Sequence, residues 1–207
     1  MLHRIRLAMQ EGDFRLMTGT VEADETYIGG KAANMHAMKL AQLKARGLVR
    51  AGTEGKAIVA GLLERHSGRA RVKVMPNVRA YHMRLNVIDN VDKGSTVYTD
   101  SLRSYRNLPV DGFIHDFVDH TEEYVKDTVH TNNMENFWSL LKRALRGTYV
   151  SVEPFHLQAY CDEQAFRYNQ RNLDDAQRFA MVMRQIVGRR LTYKDLIGTM
   201  ETETACG

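Results

Sequence analysis

The sequence predicts an α/β fold: a mixed five-stranded sheet flanked by helices, with extra helices at the C-terminal end. Three observations predict it. Strand-like runs come early, at 20–28, 56–64 and 69–75, the last two joined by a turn at His66-Ser67-Gly68. Two further runs, 95–99 and 113–118, are separated by helical stretches, as in a layered α/β pattern. From residue 132 onward the apolar spacing is helical.

Taken in order, residues 2–10 (LHRIRLAMQ) have helical spacing and read as the end of an element continuing upstream. VEADETYIGG alternates like a strand and breaks at Gly29-Gly30. Residues 31–55 form a basic stretch with weak periodicity, carrying Lys31, Lys39, Lys44, Arg46 and Arg50. A loop of that length is either functional or a solvated insertion, so DNA contact and simple solvation both remain open. KAIVAGLLE and RARVKVM make a strand pair. Pro76-Asn77 opens a helix through about Val91, with Leu85 and Ile88 on one face, and Lys93-Gly94 breaks it. After the strand at 95–99 comes a short helix, Ser101 to Leu108, then the fifth strand, FIHDFV. A polar loop leads into helices over about 132–146, 154–170 and 174–188, with Pro154 at the first turn of the second. The tail, METETACG, reads as frayed.

At 207 residues the chain suits one domain with extensions, and 43% hydrophobic content is ordinary for a globular protein. Lys and Arg outnumber Asp and Glu by 29 to 25, a balance that permits a nucleic-acid partner. Only Cys161 and Cys206 are present, with no Cys-x-x-Cys, so there is neither a zinc ribbon nor a disulfide framework. Cys161 reads as a core residue. No stretch reaches the roughly 20 apolar residues of a membrane span, and the basic N-terminus lacks the apolar run of a signal peptide. A reducing, cytoplasmic setting fits.

Three acids carry the chemical signal. Asp24 lies in the first strand, Asp100 ends the strand-like STVYTD, and Glu135 opens the amphipathic HTNNMENFWSLLKRAL. Lys142 follows two helical turns after Glu135 and shares its face. Two strand carboxylates and one helix carboxylate can converge on a pair of divalent metals, which activate a water or a 3′-hydroxyl for attack on a phosphodiester.

Each residue has an ordinary reading as well. Asp24 stands beside Glu22 and Glu25 and could face water. Asp100 could cap a turn. Glu135 falls three residues after Asn132, a capping-box spacing. Of the neighbouring acids, Glu22 shares the strand face of Asp24 and is a candidate to support it. Trp138 shares a side with Leu141 and Leu145 and reads as core rather than as a stacking platform. Lys142 alone would pass for an exposed helix lysine; Arg143 and Arg146 can face a DNA backbone or solvent. Tyr149 reads as packing, Arg167 and Arg171 as helix-end residues, and His130 as a residue able to touch a metal or phosphate.

The order of elements, with acids on the first strand, the fourth strand and the following helix, resembles the ribonuclease-H-like fold of DDE transposases and integrases. VEADETYIGGK, STVYTDSLRSYRNL and VHTNNMENFWSLLKRALRGTYVSVEPFHLQAYCDEQAFRYNQR resemble the catalytic domain of ISXO-type bacterial insertion-sequence transposases. The likeness covers roughly residues 15–172. It implies a catalytic domain over 16–172 with 31–55 as an insertion, an N-terminal helical remnant over 1–15 and a C-terminal helix and tail over 173–207.

By the resemblance, Asp24, Asp100 and Glu135 bind Mg²⁺ or Mn²⁺, two ions in all, and Lys142, Arg143 and Arg146 contact DNA. The implied partner is double-stranded DNA, bound by a homo-oligomer, in the bacterial cytoplasm and at the nucleoid when DNA is held. Complete members carry an N-terminal zinc-ribbon region that this chain does not show, so a truncated DNA-binding remnant or regulator is the alternative. A nuclease acting on RNA–DNA hybrids is a weaker one. A glycosidase built on an acid pair would leave Lys142 unexplained.

Overall fold

The computed structural model describes residues 2–10, 15–29, 38, 56–100, 103–118, 131–149, 152 and 154–197. The chain divides into two compact units, one of residues 14–143 and one combining 1–13 with 144–207.

The first unit is built on a five-stranded sheet. Its strands are β1 (Thr20–Ile28), β2 (Ala57–Glu64), β3 (Arg69–Met75), β4 (Thr96–Asp100) and β5 (Ile114–Val118). The spatial order is β3-β2-β1-β4-β5. β1 pairs antiparallel with β2 and parallel with β4; β2–β3 is antiparallel and β4–β5 parallel. The mixed five-stranded sheet anticipated from the strand spacing is therefore present, with β1 at its centre.

Alternation along β1 sorts its side chains between two layers. Val21 and Ala23 join a core with Ala60, Leu62, Val97, Tyr105 and Phe113, closed by Met83 and Val87 of α2 (Ala80–Ile88). Glu22 and Asp24 point the other way, to the face held by α3 (Asn132–Gly147). Met134, Phe137, Trp138 and Leu141 form the buried stripe of α3.

Several boundaries differ from the sequence reading. α2 begins at Ala80, not at Asn77, because the Asn77 side chain accepts the Arg79 N–H at 3.0 Å and holds a turn there. It ends at Ile88 rather than Val91, because Asn90 accepts the Met17 N–H and Val91 bridges Met17. The short helix placed over 101–108 is instead two 3₁₀ turns, Arg103–Tyr105 and Leu108–Asp111, the second carrying Pro109 near its start. The basic stretch 31–55, Met38 apart, lies outside the described residues, as do His130 and the tail.

The second unit is helical. It packs α1 (Leu2–Met9) against α4 (Leu157–Asn169) and α5 (Asp175–Ile186), with Ala8, Phe166 and Val182 at its centre. The 3₁₀ turn Pro154–His156 leads into α4, and a further short helix, α6, spans Tyr193–Ile197. Asp174 and Gln177 form a capping box that starts α5. Cys161 is buried, as its apolar surroundings in the sequence suggested. Tyr149 does pack, but through its hydroxyl: it donates to Glu163 at 2.7 Å. Glu163 also takes the Arg6 guanidinium at 2.8 Å and that of Arg167 at 2.9 Å, so Arg167 is an ion-pair residue more than a dipole partner.

Candidate active site

Asp24 stands in the middle of β1, opposite Gly61 of β2. Asp100 is the last residue of β4. The parallel β1–β4 ladder runs from Thr20–Thr96 to Glu22–Tyr98, and each of the two acids lies two residues past its strand's last pair. Both acids therefore lie just past the carboxyl end of the β1–β4 ladder, and open α/β sheets bind their ligands at the carboxyl ends of parallel strands. Glu135 lies in the first turn of α3 and is exposed.

These positions are electrostatically joined. Burial pushes the Asp24 carboxyl up to about 6, and the charges of Asp100 and Glu135 add to the rise; hydrogen bonds from Trp138 and the Glu25 N–H oppose it. Asp24 thus feels the charges of both other acids. Glu25, whose side chain alternates to the other face, belongs to the same cluster. Burial, then Asp100, then Asp24 raise it to about 8, and the Tyr105 hydroxyl at 3.5 Å works against them.

Two contacts tie β1 to α3 on either side of Glu135. The first is made by Glu22, which is fully buried. It accepts the Met134 backbone N–H at 3.0 Å, the Asn133 amide at 2.8 Å and the Arg65 guanidinium at 2.8 Å. Helices begin with unsatisfied N–H groups and a positive dipole end, and a carboxylate answers both. The capping box expected from Asn132 and Glu135 is not formed: Asn132 is the first helical residue and the Glu135 N–H bonds the Thr131 carbonyl. A tertiary contact has taken the place of the local one.

The second contact is Trp138. It is core, as its spacing indicated, yet its Nε1–H donates to Asp24 Oδ2 at 2.9 Å. The indole reaches the strand because Gly61 has no side chain. A Cβ there would stand 2.7 Å from Trp138 Cζ2 and 2.8 Å from Cη2, and would collide with Met134 Cε. A lone glycine inside the apolar strand KAIVAGLLE was a readable sign of such close approach. The indole hydrogen bond had no such sign.

Lys142 is half-buried and Arg143 exposed, both late on α3. Arg146 is exposed in its last turn, within the helical unit.

The donor set fits Mg²⁺ or Mn²⁺. Every candidate ligand is a carboxylate oxygen, and a cation would relieve both the burial of the Asp24 charge and its repulsion by Asp100 and Glu135. Among the described residues no three His, Cys, Asp or Glu side chains are grouped as a ready-made cage. Mg²⁺ sites in general use one or two carboxylates, with waters and substrate phosphates completing the shell. No described helix is long and apolar enough to cross a membrane.

Known proteins are similar to parts of this sequence. A transposase-like protein of Haemophilus influenzae is 31% identical over 96 residues, which cover 46% of this chain and 77% of that protein. A protein in the transposable element ISH50 of Halobacterium salinarum is 33% identical over 135 residues, 62% of this chain and 45% of that protein. The chain thus spans a little under half of the Halobacterium relative.

Among solved structures, the catalytic core domain of BIV integrase aligns at 12% identity and a TM-score of 0.46, covering 81% of this chain and 95% of that one. The HTLV-2 integrase catalytic core aligns at 10% identity and 0.47, covering 82% and 99%. The ISXO2-like transposase domain matches residues 16–169, which contain all three acids and both β1–α3 contacts, and this chain belongs to that family.

Proposed function

We propose that residues 16–172 form the catalytic domain of a DDE-type DNA transposase. It hydrolyses a phosphodiester at transposon ends and joins the freed 3′-hydroxyl to target DNA. The observation that carries this reading is geometric: Asp24 and Asp100 lie just past the β1–β4 ladder, and α3, which bears Glu135, is hydrogen-bonded to β1 through Glu22 and Asp24.

Asp24, Asp100 and Glu135 are the residues that would hold divalent cations. When bound, the cations supply a charged clamp on the attacking and leaving oxygens of an in-line displacement. The chain itself supplies placement. β1 and β4 carry two of the carboxylates just past their shared ladder, α3 carries the third, and the Glu22 and Trp138 contacts tie strand to helix. Lys142 and Arg143 lie further along that helix, and their charges suit a phosphate backbone running past the site. Arg146 extends the same basic run in sequence. The proposed partner is double-stranded DNA, held by a homo-oligomer in the bacterial cytoplasm.

The test uses duplex DNA carrying the flanking element's ends, with Mg²⁺ or Mn²⁺. Metal-dependent nicking and joining that disappear in Asp100→Ala support the reading; retention of either activity in that variant refutes it. Salt-dependent DNA binding without any cleavage would favour a non-catalytic regulator instead.

A further inference from the structure

Asp24 accepts one hydrogen bond on each oxygen. The Glu25 N–H reaches Oδ1 at 2.8 Å, and the Trp138 Nε1–H reaches Oδ2 at 2.9 Å. They differ in kind. The Glu25 N–H is on the next residue and moves with Asp24. The Trp138 donor comes from α3, and its ring cannot follow the carboxylate. It is 4% exposed, lies over Gly61 and meets the Phe137 ring edge-on at 5.4 Å. A buried indole N–H needs an acceptor, but an acceptor of any kind would satisfy it. Here the acceptor is the central acid of the cluster, and the donor lies one turn along the helix from Glu135.

We propose that Trp138 is a positioning residue: its indole N–H holds the Asp24 carboxylate in a single orientation for divalent-cation binding and keeps it in step with Glu135. This rests on the transposase reading above.

Trp138 is the single tryptophan of the chain, so emission reports on this indole and its surroundings, Asp24 among them. The first arm titrates Mn²⁺ into the full chain and follows tryptophan fluorescence and calorimetric binding together. The second measures Mn²⁺ affinity by calorimetry in Trp138→Phe. The third replaces the tryptophan with benzothienylalanine, which keeps the bicyclic shape and removes only the donor. The proposal predicts quenching that tracks binding, and about ten-fold or greater loss of Mn²⁺ affinity in both substituted proteins. It also predicts a lower kcat on precut ends with the KM for DNA unchanged. Unaltered Mn²⁺ affinity in the benzothienylalanine protein overturns the positioning role and leaves Trp138 as packing, with the transposase reading intact. Binding without quenching places the cation away from Asp24 and overturns it too. Absence of Mn²⁺ binding to the unaltered chain overturns the metal-site reading itself, and the positioning role with it.

Discussion

Glu22 Oε2 accepts the Met134 backbone N–H at 3.0 Å, so a carboxylate on the central strand caps the helix that carries Glu135. Glu22 lies two residues before Asp24 on the same strand face, and Met134 immediately precedes Glu135. The bond therefore fixes the spacing of two candidate metal ligands without involving either of them. Glu22 is also in a buried ion pair with Arg65, whose guanidinium stacks on Tyr98 at 4.7 Å.

Replacing Glu22 with Gln keeps the shape but leaves too many donors around one acceptor oxygen. The expected cost is about 2 kcal/mol of unfolding free energy, the scale of an unsatisfied buried donor near a lost charge. Urea denaturation measures it. A change within the error of the midpoint would mean that Glu22 does not anchor α3.

Gly61→Ala is expected to destabilise by about 1–3 kcal/mol, because the new methyl forces Trp138 and Met134 off the strand. The sign is informative, since removing a glycine from a strand interior ordinarily helps. The variant should also weaken the Trp138–Asp24 hydrogen bond, seen as a shift in tryptophan emission. A more stable variant with unchanged emission would contradict the close packing of α3 on β2.

The helical unit carries a pH-dependent ion pair. Burial alone would raise Glu163, but hydrogen bonds from Tyr149, Arg6 and Arg167 together hold it below its ordinary 4.5. For a carboxyl lowered on folding, the added stability is present above that ordinary value and is lost as pH falls through the folded one. Glu163→Gln should therefore cost about 3 kcal/mol at neutral pH, leaving Arg6 buried without its partner. The gap to the unaltered protein should close as the pH drops below 4.5. Thermal unfolding followed across that range checks both parts; a gap that widens in acid would reverse the assigned sign.

Arg143→Ala should weaken DNA binding evenly across sequences and reduce the salt slope of log K by about one, as for a single phosphate contact. Lys142→Ala should do the same and also lower the rate of strand transfer, because Lys142 shares a helix face with Glu135. Titrations at several salt concentrations decide this. An unchanged slope in both variants would remove α3 from the DNA path.

The sheet was legible because alternation and turns are local signals: all five strands fall within a residue or two of their expected places. Asp24, Asp100 and Glu135 fall on the elements that their local patterns predicted: inside β1, at the end of β4 and in the first turn of α3. What sequence did not reveal lies in contacts between distant segments. Glu22 meets Met134 across 112 positions and Trp138 meets Asp24 across 114. No local pattern encodes such pairs, and the one that competed, the Asn132–Glu135 capping box, lost to the buried strand carboxylate. Glu25 alternates away from Asp24, so the strand pattern alone separates the two. Its place in the cluster comes from the neighbouring end of β4, which brings Asp100 within electrostatic reach of both faces.

The central claim is that Asp24, Asp100 and Glu135 act together as a metal-dependent strand-transfer site. Its most direct measurement is joining of precut 3′-hydroxyl transposon ends to target DNA, with Mg²⁺ or Mn²⁺, by the unaltered chain and by Asp24→Asn, Asp100→Asn and Glu135→Gln. The account predicts metal-dependent joined product from the unaltered chain and its loss in all three variants, with each variant still folded and still binding DNA. Undiminished joining by any one of the three would contradict it.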